Sequence, residues 1–214
     1  MYMYINMEKW RPLADEYDPL KCGSIDGTDT LEHDRGIRRA MCAKYKPNKG
    51  VKGTPHKTLF VGRLNHQTSE STLQQIFSAF GFLKKVALIR DIVTGFSKGY
   101  AFVEFKETKD ARKAYKEAHE LAIDGNSILV DYEHERMMKG WVPRRLGGGF
   151  GGKKESGQLR FGCRDRPFKR PIIFEKHSRS SHRHNDKSTG EGRRPHSIHK
   201  HRRFDKRERS HRHR

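Results

Sequence analysis

The chain has 214 residues, 33% hydrophobic and 34% charged, with a mean hydropathy of −0.99 and a formal net charge of +20. That is too polar for one core running through its whole length, and no stretch approaches the roughly 18 apolar residues of a membrane-spanning helix. The charge predicts a polyanionic partner or a solvated tail, and the sequence gives no reason to expect a membrane. The opening residues MYMYINMEKW lack the basic and apolar regions of a secretory signal, so an intracellular, reducing compartment is expected. Cys22, Cys42 and Cys163 are odd in number and far apart, which predicts free thiols.

Charge divides the chain. Residues 1–57 carry a net +3, residues 58–132 a net +1 and residues 133–214 a net +16. The balanced middle also holds the regular apolar periodicity, so four segments are expected. These are an N-terminal arm and linker (1–57), a folded domain (58–132), a Gly/Arg-containing extension (133–170) and a basic tail (171–214).

In the arm, DTLEHDRGIRRAMCAKY (29–45) predicts one short helix with Leu31, Ile37, Met41 and Tyr45 on its apolar side, ended by Pro47. NKGVKGTPHK then reads as a flexible spacer.

TLFVGRL (58–64) reads as a strand, with Leu59 and Val61 on one face and Phe60 and Gly62 on the other. Thr68 or Ser69 caps a helix whose stripe is Leu73, Ile76, Phe77 and Phe80. VALIR (86–90) is a second strand, and DIVTGFSK is a loop. KGYAFVEF (98–105) is a third strand, and Thr108 opens a helix with Ala111, Ala114, Tyr115 and Ala118 inward. Asp124-Gly125 is a turn, and SILVDY (127–132) is the last strand. The order βαββαβ predicts an α+β, ferredoxin-like fold: a four-stranded antiparallel sheet with both helices on one face.

On that fold Leu59, Val61, Ala101, Val103 and Phe105 meet the helices, while Phe60, Tyr100 and Phe102 have no layer to meet. Bare rings on neighbouring strands suit stacking with unpaired bases. Lys98, Arg63 and Arg90 are candidate phosphate contacts around them. His66 is read as a loop residue that can also touch RNA. Cover from a C-terminal segment or from another protein is the competing reading of the rings.

In the extension, Arg144, Arg145, Lys153 and Lys154 flank a glycine run whose backbone can approach phosphates. Met137, Met138, Trp141 and Val142 form a small apolar group that packs over the sheet edge, against a base or as a satellite core contact. GGGFGGKK approaches a nucleotide-binding P-loop, but Lys154 stands where a hydroxyl is required and no strand precedes the glycines, so nucleotide binding is not expected. Beyond Pro171 the periodicity ends. Eight histidines between His177 and His213, with no acidic or cysteine ligands at fixed spacing, predict a disordered polycation rather than a metal site. Ser178, Ser180 and Ser210 are candidate phosphorylation sites, and HKHRR and DKRER are candidate nuclear import signals.

LFVGRL and KGYAFVEF resemble the hexapeptide and octapeptide signatures of the RNA recognition motif, the octapeptide at every position. The resemblance implies that Phe60, Tyr100 and Phe102 stack on bases. Arg63 stands where that family often has asparagine. The flanks WRPLADEYDPLKCGSIDGTD, GWVPRRLGGGFGG and GGKKESGQLRFG resemble those of spliceosomal subunits that carry this motif in particles recognising 5′ splice sites. The minor-spliceosome branch is the nearer. This second resemblance runs from about Trp10 to Phe168. It implies a nuclear, structural subunit that binds small nuclear RNA at a stem-loop with a single-stranded loop, with pre-mRNA and other particle proteins as further partners. The arm would dock on those proteins.

A protein-interaction module and a general messenger-RNA-binding splicing regulator remain the alternatives from other classes. No nucleophile–base pair, paired carboxylates or metal-ligand spacing is found, so neither catalysis nor a cofactor is expected.

Overall fold

The computed structural model describes residues 10–47 and 52–172, all within one compact unit. The expectations for the tail beyond residue 172 lie outside the described residues. Two short helices come first, α1 (Pro19–Gly23) and α2 (Arg35–Cys42). The central elements follow as β1 (Thr58–Gly62), α3 (Glu70–Ser78), β2 (Leu83–Arg90), β3 (Ser97–Phe105) and α4 (Thr108–Glu117). A small hairpin, β4 (Ala122–Ile123) and β5 (Asn126–Ser127), leads into β6 (Leu129–Tyr132) and the single turn α5 (His134–Met137).

The main sheet has the order β2-β3-β1-β6, antiparallel throughout, as the βαββαβ pattern requires. Ser69 caps α3 by accepting the Thr72 N–H at 3.1 Å, and Glu70 in its first turn accepts the Leu88 N–H at 3.0 Å, tying the helix to β2. Leu59, Val61, Leu73, Phe77, Ala101, Val103, Phe105, Ala111 and Ala114 are fully buried between the helices and one sheet face. Asp124 and Gly125 both take left-handed φ angles, 47° and 81°, the backbone that a two-residue hairpin turn demands. That hairpin divides the expected last strand: Asn126–Ser127 pairs with β4, and only Leu129–Tyr132 joins the main sheet.

The arm differs from the single helix expected over 29–45. Of its proposed apolar side only Ile37 is buried, while Leu31 is 76% and Met41 52% exposed. The inward face of α2 is instead Gly36, Ile37 and Ala40, because the helix must lie close to another backbone. A Cβ at Gly147 would collide with the Gly36 carbonyl, and Gly147 has φ 91°. The helix ends at Cys42, before Pro47 can act as its stop.

That other backbone belongs to the extension. Tyr17, Cys22, Ala40 and Val142 form a second buried cluster, joined by Met138, Trp141, Leu146, Phe150 and Phe168. The apolar group expected after the last strand is therefore part of a core that the arm and extension build together. Tyr17 donates its hydroxyl to the Gly149 carbonyl at 2.9 Å. Arg160, wholly buried, donates to both carboxylate oxygens of Asp34 at 2.8 and 3.0 Å and to the carbonyls of Gly147 and Leu159. The glycine run Gly147–Gly149 is buried in this lobe against Gly36, Val142 and Arg144, so it does not lie open to phosphates as expected. Burial pushes the Cys22 thiol up to about 12 and raises that of Cys163.

The spacer is ordered where it is described. Thr54 donates its N–H to Glu104 at 3.1 Å, and a 3-10 turn, Pro55–Lys57, delivers the chain to β1.

Candidate nucleic-acid interface

Register brings the three rings together. Phe60 on β1 lies directly opposite Phe102 on β3, and Tyr100 lies opposite Gly62. Ring centroids are 5.7 Å apart for Phe60–Tyr100, 5.8 Å for Phe60–Phe102 and 6.2 Å for Tyr100–Phe102. All three are half-buried, and their ring contacts among the described residues are with one another. A Cβ at Gly62 would stand 2.9 Å from the Phe60 ring, so glycine there leaves room for the ring to lie against the strand.

Two carboxylates share this face, and a bare carboxylate beside an RNA strand would repel its phosphates. Both have partners. Glu104 receives Lys84 at 2.9 Å as well as the Thr54 N–H. Burial works to raise its pKa, but the Lys84 and Thr54 hydrogen bonds, with the charges of Lys84 and Arg136, hold it below the usual range. Asp131, opposite Phe60, lies 3.2 Å from His134 Nε2. The Glu104 charge on this face is thus paired, and Asp131 also accepts the Tyr132 N–H at 2.8 Å.

The candidate basic residues are distributed differently from the expectation. Gly99, at φ 75°, forms a bulge, and β2–β3 register shifts beside it. Alternation alone therefore does not assign Lys98 to a face. Its ammonium lies 3.7 Å from Asp91 at the mouth of the β2–β3 loop, exposed. Arg90, also exposed, donates to the Gly95 carbonyl in the same loop at 3.3 Å. Arg63 takes φ 61°, a conformation that asparagine adopts more readily, and its guanidinium pairs with Asp165 at 2.6 Å. It ties the extension to the domain. Arg144 is half-buried, and donates to the Gln158 carbonyl at 2.7 Å. That makes it a brace of the lobe rather than an open phosphate contact. Arg145 is exposed, its guanidinium 5.5 Å from the centroid of the Tyr45 ring. His66 donates Nδ1–H to the Ser97 carbonyl at 2.9 Å, which fixes its ring beside the bulge.

Sequence patterning singled out Trp141 but missed its aromatic partners His134, Phe150 and Tyr17, which pack with it at centroid distances of 5.0–5.4 Å. The members of this cluster come from both flanks, and no local spacing links them. Among the described residues no group of three His, Cys, Asp or Glu side chains is placed to hold a metal ion.

A family model of the RNA recognition motif matches residues 59–129. The U11/U12 small nuclear ribonucleoprotein 35 kDa protein of Bos taurus is 63% identical over 166 residues, 78% of this chain and 68% of its own length. Its Xenopus laevis counterpart is 56% identical over 188 residues, 86% of this chain and 67% of its own length. The U1 small nuclear ribonucleoprotein 70 kDa of Arabidopsis thaliana is more distant, 44% identical over 131 residues, 59% of this chain and 31% of its own length. Because the identity runs through both flanks as well as the motif, the chain belongs to the family of the U11/U12 small nuclear ribonucleoprotein 35 kDa proteins.

Proposed function

We propose that this protein is the RNA-binding subunit of a minor-spliceosome small nuclear ribonucleoprotein, acting in pre-mRNA splicing of rare introns. Phe60, Tyr100 and Phe102 take splayed bases from a single-stranded loop of small nuclear RNA. Lys98, Arg90 and Arg145 meet phosphates around them, while Arg63 and Arg144 hold the lobe that borders the site. Spliceosomal assembly places the protein in the nucleus, among other proteins of the particle. The single observation that carries the reading is three mutually touching rings on a sheet face that the helices do not cover.

Stacking contributes about 1–3 kcal/mol per base, so three rings account for a large part of loop affinity and act at high salt, where phosphate contacts fade. Phe60→Ala, Tyr100→Ala and Phe102→Ala combined should abolish binding of hairpins from U11 or U12 small nuclear RNA while the thermal transition persists. Unchanged binding by the triple variant refutes the site.

A further inference from the structure

Within the arm, charge is segregated by position. Residues 15–34 hold seven acidic side chains and one lysine, whereas residues 35–47 hold five basic side chains and no acidic one. The basic half begins with α2. On a helix, positions i, i+3 and i+4 share a face, which places Arg35, Arg38 and Arg39 together opposite the buried Gly36, Ile37 and Ala40. All three arginines are exposed. Arg38 pairs with Glu32 at 2.9 Å, but Arg35, Arg39, Lys44 and Lys46 have no ion-pair partner among the described residues.

The stripe is held rigidly. Asp34, the N-cap of α2, accepts the Ile37 N–H at 2.7 Å and is gripped on both oxygens by buried Arg160. The chain after it is tied to the edge of the sheet. Past α2, the Tyr45 hydroxyl donates to Glu135 of α5, the turn that directly follows edge strand β6, and Arg145 stands over the Tyr45 ring.

We propose that the outer face of α2, continued by Lys44, Lys46 and Arg145, grips the phosphate backbone of an RNA duplex, the stem adjoining the loop held on the sheet. The inference rests on the loop-binding reading above and extends it. Arginine forks match phosphate geometry, and A-form duplexes are recognised chiefly through their backbone and shape. A stripe in which Arg35 and Arg39 have no carboxylate partner among the described residues, on a rigid support joined to the β6 edge of the sheet, suits the point where loop becomes stem.

The test uses the full chain and two probes. One is the tightest-bound hairpin from U11 or U12 small nuclear RNA, and the other is its loop sequence as an unpaired oligonucleotide. Arg35→Gln with Arg39→Gln should lower hairpin affinity about tenfold and reduce the salt slope by about 2, leaving the oligonucleotide unaffected. Unchanged hairpin affinity overturns the proposal, as does an equal loss on both probes. Retained RNA binding with loss of an acidic particle protein also overturns it, assigning the stripe to a protein interface. The ring variant separates the two readings: if it still binds the oligonucleotide, the sheet site fails, while the Arg35/Arg39 pair is still scored on the difference between hairpin and oligonucleotide.

Discussion

Between its sheet and two helices the central domain buries Leu59, Leu73, Phe77, Val103 and Phe105, whereas the largest fully buried side chain of the neighbouring lobe is Arg160. The domain is stabilised by apolar area on elements close in sequence. The lobe joins residues 126 and 132 positions apart through Arg160–Asp34 and Tyr17–Gly149, around a small aromatic core. The domain presents a binding face and can tolerate surface change. The lobe depends on a few polar contacts, and their loss leaves groups buried without partners.

Disrupting each region in turn sharpens this contrast. Phe77→Ala should destabilise the domain by about 3–5 kcal/mol, seen as an earlier cooperative transition by far-UV circular dichroism. Arg160→Met should act on the lobe with a similar cost, about 3–5 kcal/mol, because the Asp34 carboxylate and two carbonyls lose their donor. Both tryptophans, Trp10 and Trp141, lie outside residues 58–132, so tryptophan fluorescence follows the lobe specifically. A domain melt that shifts as far as the fluorescence transition would show that the two regions are one cooperative unit.

Acid offers a graded version. Burial works to raise the Asp34 pKa, but the Arg160 hydrogen bond and charge, with the Ile37 N–H, hold it below the ordinary value. Its contribution is therefore present above the unfolded-state pKa and is lost as pH falls through the carboxylate range. Tryptophan fluorescence should report loosening of the lobe below about pH 4. Arg160→Met should abolish that step. The smallest effect expected is Ser69→Ala, which removes the cap of α3 at about 1 kcal/mol and leaves the lobe untouched in the same fluorescence assay.

The two regions also differ in how far they can be read from sequence. Alternation in TLFVG and YAFVEF and the helical spacing of Leu73, Ile76 and Phe77 are local signals, and they placed the sheet, its covered face and the three rings. The lobe left no such signal. Leu31 and Met41 resemble an apolar helix side but are exposed, because burial of α2 is set by a glycine contact with a distant segment. The run Gly147–Gly149 was open to two interpretations, since close approach serves a phosphate or a protein backbone equally; the fold uses the second. Beside Lys98, Gly99 at positive φ interrupts alternation, so strand periodicity alone does not assign the lysine a face. The arginines divided for a similar reason: Arg63 and Arg144 find partners in the extension, at sequence separations that no motif encodes.

Ultraviolet crosslinking of the full chain to its bound hairpin, with the modified residues mapped by mass spectrometry, tests most directly whether nucleobases complete the uncovered sheet face. Adducts on the β1 and β3 peptides, at Phe60, Tyr100 and Phe102, are the predicted result. Adducts confined to residues beyond 172, with β1 and β3 unmodified, would contradict it.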